Sequence, residues 1–194
     1  MLTAVTRYTK RALDVALGSI GLAATALPMA GIAVAIRLTS KGPALHWSHR
    51  IGRDNKHFLM PKFRTMRTDT PQLPTHLMTD AGRYLTPIGR VLRKTSLDEL
   101  PQLYTILTGN MSFVGPRPAL YNQNDLVALR TQRGVHRLTP GLTGWAQVNG
   151  RDELPISTKV DYDAYYLKHQ SLLLDLKILF LTAAQALIAK GVKH

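Results

Sequence analysis

The sequence predicts an α-rich α+β protein. A membrane helix at residues 1–38 precedes a small globular domain at residues 39–194, which carries a short β-hairpin and interfacial helices. Three observations support this class. Residues 15–36 contain no charged side chain. Two short basic segments around a turn follow this run, which is typical of a hairpin. In the second half of the chain, apolar residues recur at helical spacing.

The composition indicates an anionic partner. The chain has 25 Lys and Arg against 12 Asp and Glu, a formal net charge of +13. Such an excess favours nucleic acid, an anionic membrane face or phosphorylated substrates as partners. The chain contains no cysteine, which excludes a disulfide scaffold and a thiolate metal site and fits a reducing compartment.

The first element is the uncharged run at residues 15–36, which as a straight helix would be about 33 Å long, enough to cross a bilayer. Three interpretations compete: a cleaved signal peptide, a spanning helix, and a re-entrant helix that enters and leaves on one face. The run is longer than a usual signal-peptide core. Pro28 kinks a helix, and both flanks are basic, which favours the cytoplasmic side for each. Spanning and re-entrant helices are both compatible with these facts. The flanking basic residues are Arg7, Lys10, Arg11, Arg37, Lys41, Arg50 and Arg53.

The next elements are a hairpin and a series of helices. Extended segments around a turn at residues 52–55 predict the hairpin, which presents positive charge. Helical spacing after the "DE" pair ends at Gly109, a plausible helix C-cap. Residues 120–133 and the chain from Ser157 onward also show helical patterns.

The C-terminal helix is apolar around most of its circumference, which allows two interpretations. It is a core helix, or it is an interfacial helix with one face on the domain and another in the acyl boundary. In the second case Lys177 and Lys190 reach anionic headgroups. The predicted core stripe is Leu172, Leu173, Leu176, Leu179, Phe180 and Ala183, and the residues off this stripe are Leu174, Leu181 and Ile188.

Two adjacent acids, Asp98 and Glu99, stand in the stretch "TSLDELPQL". Ser96 and Glu99 match a helix capping box, in which the acids serve structure alone. Pro101 weakens this reading, because proline prefers the first helical position. That placement leaves both acids exposed and ionised at a helix mouth near Arg93, ready to bind a metal or to attack phosphorus.

Several unusual strings occur in a fixed order after the apolar run: "KFRTM", "GRVLRKTSLDELPQL", "MSFVGPRP", "PGLTGWAQVNGR" and the closing "DYDAYYLKHQSLLLDLKIL". In these strings the chain resembles the bacterial sugar transferases of the small single-domain type. These are monotopic polyprenol-phosphate phosphoglycosyl transferases, which begin glycan assembly on a lipid carrier. The resemblance extends from "KRALD" to the C-terminal helix.

The resemblance implies a reaction and a location. The membrane helix would be re-entrant and broken at Pro28, on the cytoplasmic face of the bacterial inner membrane. Asp98 and Glu99 would form a catalytic dyad that requires Mg²⁺. Asp98 would attack the β-phosphorus of a nucleotide-diphospho-sugar, usually a UDP-sugar, so that UMP leaves. A polyprenol phosphate, usually undecaprenyl phosphate, would then attack the aspartyl intermediate. Glu99 would either position the metal or accept a proton.

Further basic residues are candidates for the substrate phosphates. Arg93 and Arg117 would each act as a phosphate fork, although Arg117 could instead pair with a late acid such as Asp175. Lys62 and Arg64 would reach the diphosphate or form a solvated hairpin face. The resemblance also implies a nucleotide-side loop that contains Gln147, Asn149 and Arg151.

Two rival functions belong to other classes. A membrane-tethered nucleic-acid-binding protein explains the net charge but not the acid pair, and aromatic residues, which stack on bases, are only 7% of the chain. An interfacial scaffold without chemistry would tolerate loss of both acids. The partners that the resemblance implies are a UDP-sugar and a polyprenol phosphate. The basic charge adds anionic membrane lipids, and nucleic acid is not an expected partner. The choice between monomer and homodimer is open.

Overall fold

The computed structural model of the protein describes residues 4–70, 81–150 and 154–188. It confirms the α-rich α+β class, with a long apolar N-terminal helix and short sheets. Arg151 and Lys190, which the sequence places in the nucleotide-side loop and at the headgroups, lie outside the described residues.

Helix α1 spans Ala4–Thr39 and contains Pro28 without interruption. The predicted break at Pro28 is therefore wrong at the level of secondary structure, whereas the re-entrant topology stays a prediction. The helix continues because one face packs on the domain on both sides of the proline. Leu22 joins one apolar cluster and Met29 the next, and seven residues are close to two helical turns. The helix is long and apolar enough to cross a membrane.

Both ends of α1 contact the globular domain. In its first half, Arg11 donates to backbone carbonyls of the domain, and a side chain at Gly18 would come within 3.0 Å of Leu107, so glycine permits a close approach there. Near its end, Ile36 is fully buried against Phe63 and Leu92. The helix therefore lies along the domain rather than extending away from it.

The predicted hairpin is confirmed. Strands β1 (Leu45–Ile51) and β2 (His57–Phe63) pair antiparallel, and Asp54 and Asn55 in the turn have positive φ. Strand β4 (Ala119–Leu120) adds to the other edge of β1, giving the order β2-β1-β4. A second, two-stranded sheet pairs β3 (Ser112–Val114) with β5 (Gly141–Thr143) in parallel.

Several helices lie where the sequence predicts helical patterns, whereas the short helix at Trp145–Val148 was not predicted. Helix α2 spans Gly89–Thr95, a 3₁₀ helix spans Leu97–Gln102, and α3 spans Leu103–Leu107. The capping box is wrong: Ser96 has φ 56° and its side chain makes no cap hydrogen bond. Gly109 has φ 86° just after α3 and ends the segment as predicted. The remaining α-helices of the described residues are α4 (Asn124–Gln132), α5 (Trp145–Val148), α6 (Ile156–His169) and α7 (Leu172–Ile188).

Helix α7 is rotated relative to the prediction. Leu173 and Phe180, assigned to the core stripe, are 80% and 73% exposed, and Leu176 of that stripe is exposed too. Leu174, predicted off the stripe, packs against the core, where Ile178 is fully buried. These parts of the stripe prediction are wrong.

The reason is that Asp175, Thr182 and Gln185 of α7 bond to the protein. Asp175 is buried and pairs with Lys10 of α1 at 2.6 Å. Further along the helix, the Thr182 hydroxyl lies 2.8 Å from that of Thr143, and Gln185 donates to a backbone carbonyl of α5. Hydrogen bonds to the protein therefore contribute to deciding which face is inside, and Leu173, Leu176 and Phe180 are left outside.

Candidate active site

The acid pair lies on the 3₁₀ helix, which packs against strand β2. Asp98 is only 8% exposed, so the expectation that it is exposed is wrong. Burial and, next, the charge of Glu99 raise the pKa of Asp98 to about 6, while the cations Lys62 and Arg93 oppose the rise. Asp98 is thus a carboxylate held in a poorly solvated place, where its charge is offset by nearby cations rather than by water.

Glu99 has a different environment from its neighbour. Burial disfavours the charge of Glu99. Arg117 donates two hydrogen bonds to the Glu99 carboxylate, and its positive charge, together with those of Lys62 and Arg50, outweighs the effect of burial. The pKa of Glu99 is consequently below its ordinary value. Arg117 therefore lies against the acid pair. The alternative pairing of Arg117 with Asp175 is wrong, since Asp175 binds Lys10.

Lys62 is placed beside the acids by the register of the hairpin. It lies on β2 opposite His46 of β1. Burial and, next, the charges of Arg50 and Arg93 lower its pKa to about 8, while the two acids oppose the fall. Lys62 stays largely protonated at neutral pH and supplies positive charge next to Asp98.

Arg93 reaches the site because α2 lies very close to the end of the hairpin. Its Nε donates to the Thr65 hydroxyl at 2.9 Å. Gly89 begins the helix, and a side chain there would overlap the Thr65 carbonyl oxygen. The Gly89 N–H is bonded instead to Thr86 Oγ1 at 3.0 Å. The glycine of "GRVLRK" is thus required for the close approach that orients Arg93.

The segment "GPRP" is fixed by a backbone-to-backbone contact with "PGLTG". A side chain at Gly115 would overlap the Thr139 carbonyl oxygen, and one at Gly144 would overlap the Gly115 carbonyl oxygen. The Gly115 N–H donates to Thr143 O at 2.9 Å, which continues the β3–β5 pairing. These two motifs, separate in the sequence, therefore form one rigid unit that carries Arg117.

Other predicted site residues are not brought to the acid pair. The Arg64 guanidinium is buried and donates to the backbone carbonyls of Ser40 and Lys41, where it secures the chain after α1. Asn149 donates to the Trp145 carbonyl at 2.7 Å. Neither amide atom of Gln147, both of which are buried, has a hydrogen-bond partner among the described residues. The nucleotide-side role of this loop stays a prediction.

The sequence did not assign Arg50 to the site. Arg50 donates to Ser48 Oγ at 3.0 Å and to the Pro118 carbonyl at 3.1 Å, and its charge acts on Glu99. Alternation along a strand puts Arg50, Ser48 and His46 on one face, and His46 stands opposite Lys62. This alternation is the sequence pattern from which Arg50 could have been assigned to the site. A buried ion pair between Arg130 and Asp163 was also missed, because no local pattern marks it.

The acid pair is compatible with Mg²⁺ binding in which substrate phosphates supply further ligands. Within the described part of the chain, no group of three or more His, Cys, Asp or Glu could hold a metal. Mg²⁺ is commonly bound by one or two carboxylates together with substrate phosphates. Asp98 and Glu99 are compatible with that mode, although Glu99 also accepts hydrogen bonds from Arg117.

Together these residues give the site a defined chemical character. The pair of carboxylates lies among four cationic side chains, a setting that attracts a polyanion and brings it next to an oxygen nucleophile. The four cations are Arg50, Lys62, Arg93 and Arg117.

Comparisons with known proteins agree with this description. A family described as "Bacterial sugar transferase" matches residues 5–189. The chain is 39% identical to an uncharacterized sugar transferase, EpsL, of Bacillus subtilis, over 95% of this chain and 90% of that protein. It is 36% identical to the UDP-glucose:undecaprenyl-phosphate glucose-1-phosphate transferase of Escherichia coli, over 98% of this chain and 42% of that protein. It is 34% identical to the UDP-N-acetylgalactosamine-undecaprenyl-phosphate N-acetylgalactosaminephosphotransferase of Aeromonas hydrophila, over 96% of this chain and 45% of that protein.

Proposed function

Because the chain belongs to the bacterial sugar transferase family, we propose that it transfers a sugar 1-phosphate from a UDP-sugar to undecaprenyl phosphate and releases UMP. This would be the first membrane step in the assembly of a bacterial glycan. The chain spans less than half of the two relatives whose names state a substrate. Those names specify two different sugars, so the family alone does not choose the donor sugar.

In the proposed reaction a carboxylate oxygen of Asp98 attacks the β-phosphorus of the UDP-sugar. The bond from that phosphorus to the bridging oxygen breaks, and UMP leaves with the electron pair. A sugar-phosphoryl-aspartate remains. An oxygen of undecaprenyl phosphate then attacks the same phosphorus, which forms the lipid diphosphate sugar and returns the Asp98 carboxylate. Two displacements at one phosphorus replace a single difficult one between two anionic substrates.

The surrounding residues would lower the repulsion between the nucleophile and its substrate. Lys62 and Arg93 act on Asp98, and Arg117 is positioned by Glu99. Mg²⁺, when bound by the two acids and the substrate phosphates, would supply further charge neutralisation. Glu99 then has two alternative roles, as a metal-positioning group or as the acceptor of the lipid phosphate's proton.

The observation that carries the proposal is the buried Asp98 carboxylate among cations, within a chain of this family. We expect detergent-purified protein to turn over UDP-sugars with UMP release when undecaprenyl phosphate and Mg²⁺ are present. Asp98→Asn should abolish turnover, and the exposed-acid control Asp161→Asn should retain it. Labelled sugar phosphate should be trapped on Asp98 when the lipid acceptor is omitted. Near-normal UMP release by Asp98→Asn would exclude it as the nucleophile.

We also propose that the protein sits on the cytoplasmic face of the membrane, with α1 and α7 as its contacts with anionic lipids. In both helices several polar side chains bond to the protein while large apolar side chains are exposed. In α1, Lys10 and Asp14 bond to β3, and Arg11 donates to carbonyls at the end of α3. Leu17 and Leu27 on the same helix are exposed. A helix in water commonly has its polar side chains outside and its apolar ones inside. The exposed apolar side chains of α1 and α7 therefore suit a lipid environment.

Topology can be tested directly, because the chain has no cysteine. Single cysteines at Thr3 and Thr39 should both be protected from a membrane-impermeant thiol reagent in intact cells. Both ends of α1 pack on one domain, which is the reason to expect equal protection. Labelling at one end alone would establish a spanning helix.

The role of α7 can be tested with the same chain. A polarity-sensitive fluorophore on Leu173→Cys should shift to the blue when the protein is mixed with vesicles containing phosphatidylglycerol. The matched control is Leu59→Cys, an exposed leucine on the hairpin. A water-like spectrum at position 173 in vesicles would refute the interfacial assignment.

A further inference from the structure

A buried guanidinium behind the candidate active site binds two partners at once. Arg130 of α4 is 8% exposed and Asp163 of α6 is 1% exposed. Arg130 Nε and Nη2 donate to Asp163 Oδ2 at 2.9 and 2.6 Å. Its remaining nitrogen, Nη1, donates to the backbone carbonyl of Arg117 at 2.8 Å. One side chain thus joins the helical core to the segment that carries Arg117.

Stability alone explains this ion pair poorly. Removing two charges from water costs several kcal/mol, and apolar residues of similar volume often serve a core as well or better. A planar guanidinium fixed by a carboxylate, however, has only a narrow range of orientations. Asp163 therefore directs Nη1 at one point, and that point is the Arg117 carbonyl.

The "GPRP" segment is held largely through its carbonyl groups, because Pro116 and Pro118 have no N–H to donate. Backbone contacts fix its first half, where the Gly115 N–H donates to the Thr143 carbonyl and the Pro116 carbonyl accepts from the Gly141 N–H, each at 2.9 Å. Two arginine side chains fix its second half. Arg130 binds the carbonyl of Arg117, and Arg50 binds the carbonyl of Pro118 at 3.1 Å. Three consecutive carbonyls are thus held, and the Arg117 side chain between the prolines lies on Glu99.

A second ion pair between the same helices provides an internal comparison. Arg133 and Asp161 also join α4 to α6, at 3.3 Å, but both side chains are about 60% exposed. Such a surface pair contributes little to stability. Only the buried pair continues to the Arg117 carbonyl.

We propose that Arg130, oriented by Asp163, is a positioning residue that holds Arg117 against Glu99 in the candidate active site. The inference rests on the proposed function for its catalytic consequence, but the contact itself can be measured without turnover. A lysine at position 130 can keep the charge pair with Asp163. Its single ammonium lacks the planar fork that binds the carboxylate and the carbonyl together.

The first experiment uses the low glutamate content of the chain, which has only Glu99 and Glu153. With ¹³C-labelled glutamate and Glu153→Gln as background, one side-chain carboxyl signal remains. The chemical shift of this signal is compared between variants at the same pH, so that a change reports an altered contact between Glu99 and Arg117. Arg130→Lys should move this signal in the same direction as Arg117→Lys does.

Arg133→Lys is the matched control and should leave the Glu99 signal unchanged. An unmoved signal in Arg130→Lys, alongside a moved one in Arg117→Lys, would overturn the proposal. Melting curves accompany each sample, and Asp163→Asn is the second variant, since it keeps the shape of the pair. If both Arg130→Lys and Asp163→Asn fail to fold, the pair is a core ion pair and the proposal is wrong.

The second experiment measures UMP release. Arg130→Lys should lower kcat at least tenfold, and Arg133→Lys should change it less than twofold. In an Arg117→Lys background, Arg130→Lys should add less than a twofold further loss, because it acts through Arg117. Fully multiplicative losses would overturn the proposal. If the wild-type protein releases no UMP, the proposed function fails, while the carboxyl signal still decides the role of Arg130.

Discussion

Because Asp98 is buried, we expect the variant Asp98→Asn to be more stable than the wild type although it is inactive. Asp98→Asn replaces a carboxylate in a poorly solvated place by a neutral amide of the same shape. Burial raises the folded-state pKa of Asp98 to about 6. A raised carboxyl pKa means that the folded state is favoured when Asp98 is protonated. That stabilisation is present below the ordinary pKa near 4 and is lost as the pH rises through 6.

The magnitude follows from the size of the shift. The pKa of Asp98 rises from the ordinary value of 3.8 to about 6. The ionised carboxylate therefore destabilises the folded state at pH 8 by about 3 kcal/mol. Asp98→Asn should recover part of this, because its amide must itself find hydrogen-bond partners. The expected gain is about 1–3 kcal/mol at pH 8, or about 2–4 °C in Tm for each kcal/mol. The gain should be roughly half as large at pH 5.

The assay is thermal unfolding in detergent at pH 5 and pH 8 for the wild type and Asp98→Asn, with UMP release measured on the same samples. Asp69→Asn is the control of opposite sign, since a hydrogen bond from Arg67 lowers the pKa of that exposed acid. It should give no gain at pH 8. A variant Asp98→Asn that is inactive and also less stable than wild type at pH 8 would refute the reasoning about burial.

Two further predictions concern contacts that position the site. Gly89→Ala places a methyl group on the Thr65 carbonyl oxygen and should lower the free energy of unfolding by about 1–3 kcal/mol, with loss of activity as Arg93 shifts. Gly31→Ala, which meets nothing within 4 Å, should be neutral or slightly stabilising; equal melting temperatures for the two variants would contradict the prediction. Lys10→Met leaves Asp175 buried without its cation and should cost about 3–5 kcal/mol. A second change, Asp175→Leu, should restore most of that loss in denaturant unfolding, and no recovery would show that the pair is not the cause.

The sequence predicted those features that depend on neighbouring residues. The uncharged run predicted α1, alternation and a turn predicted the hairpin, and helical spacing predicted α4, α6 and α7. The acid pair was identified by its motif, together with Lys62 and Arg93. Each of these features depends on residues a few positions apart, where backbone periodicity and turn chemistry act directly.

The tertiary structure decided which groups meet and which faces are buried. Arg117 had two candidate roles in the sequence, and only packing of two Gly- and Pro-rich motifs placed it on Glu99. Helix α7 turns Leu173 and Leu176 outward because Asp175 is held by Lys10, a residue 165 positions away. Asp98 is buried because the 3₁₀ helix packs on a strand far from it in the chain. Burial and ion pairing are properties of residues brought together by folding, and local sequence patterns do not encode them.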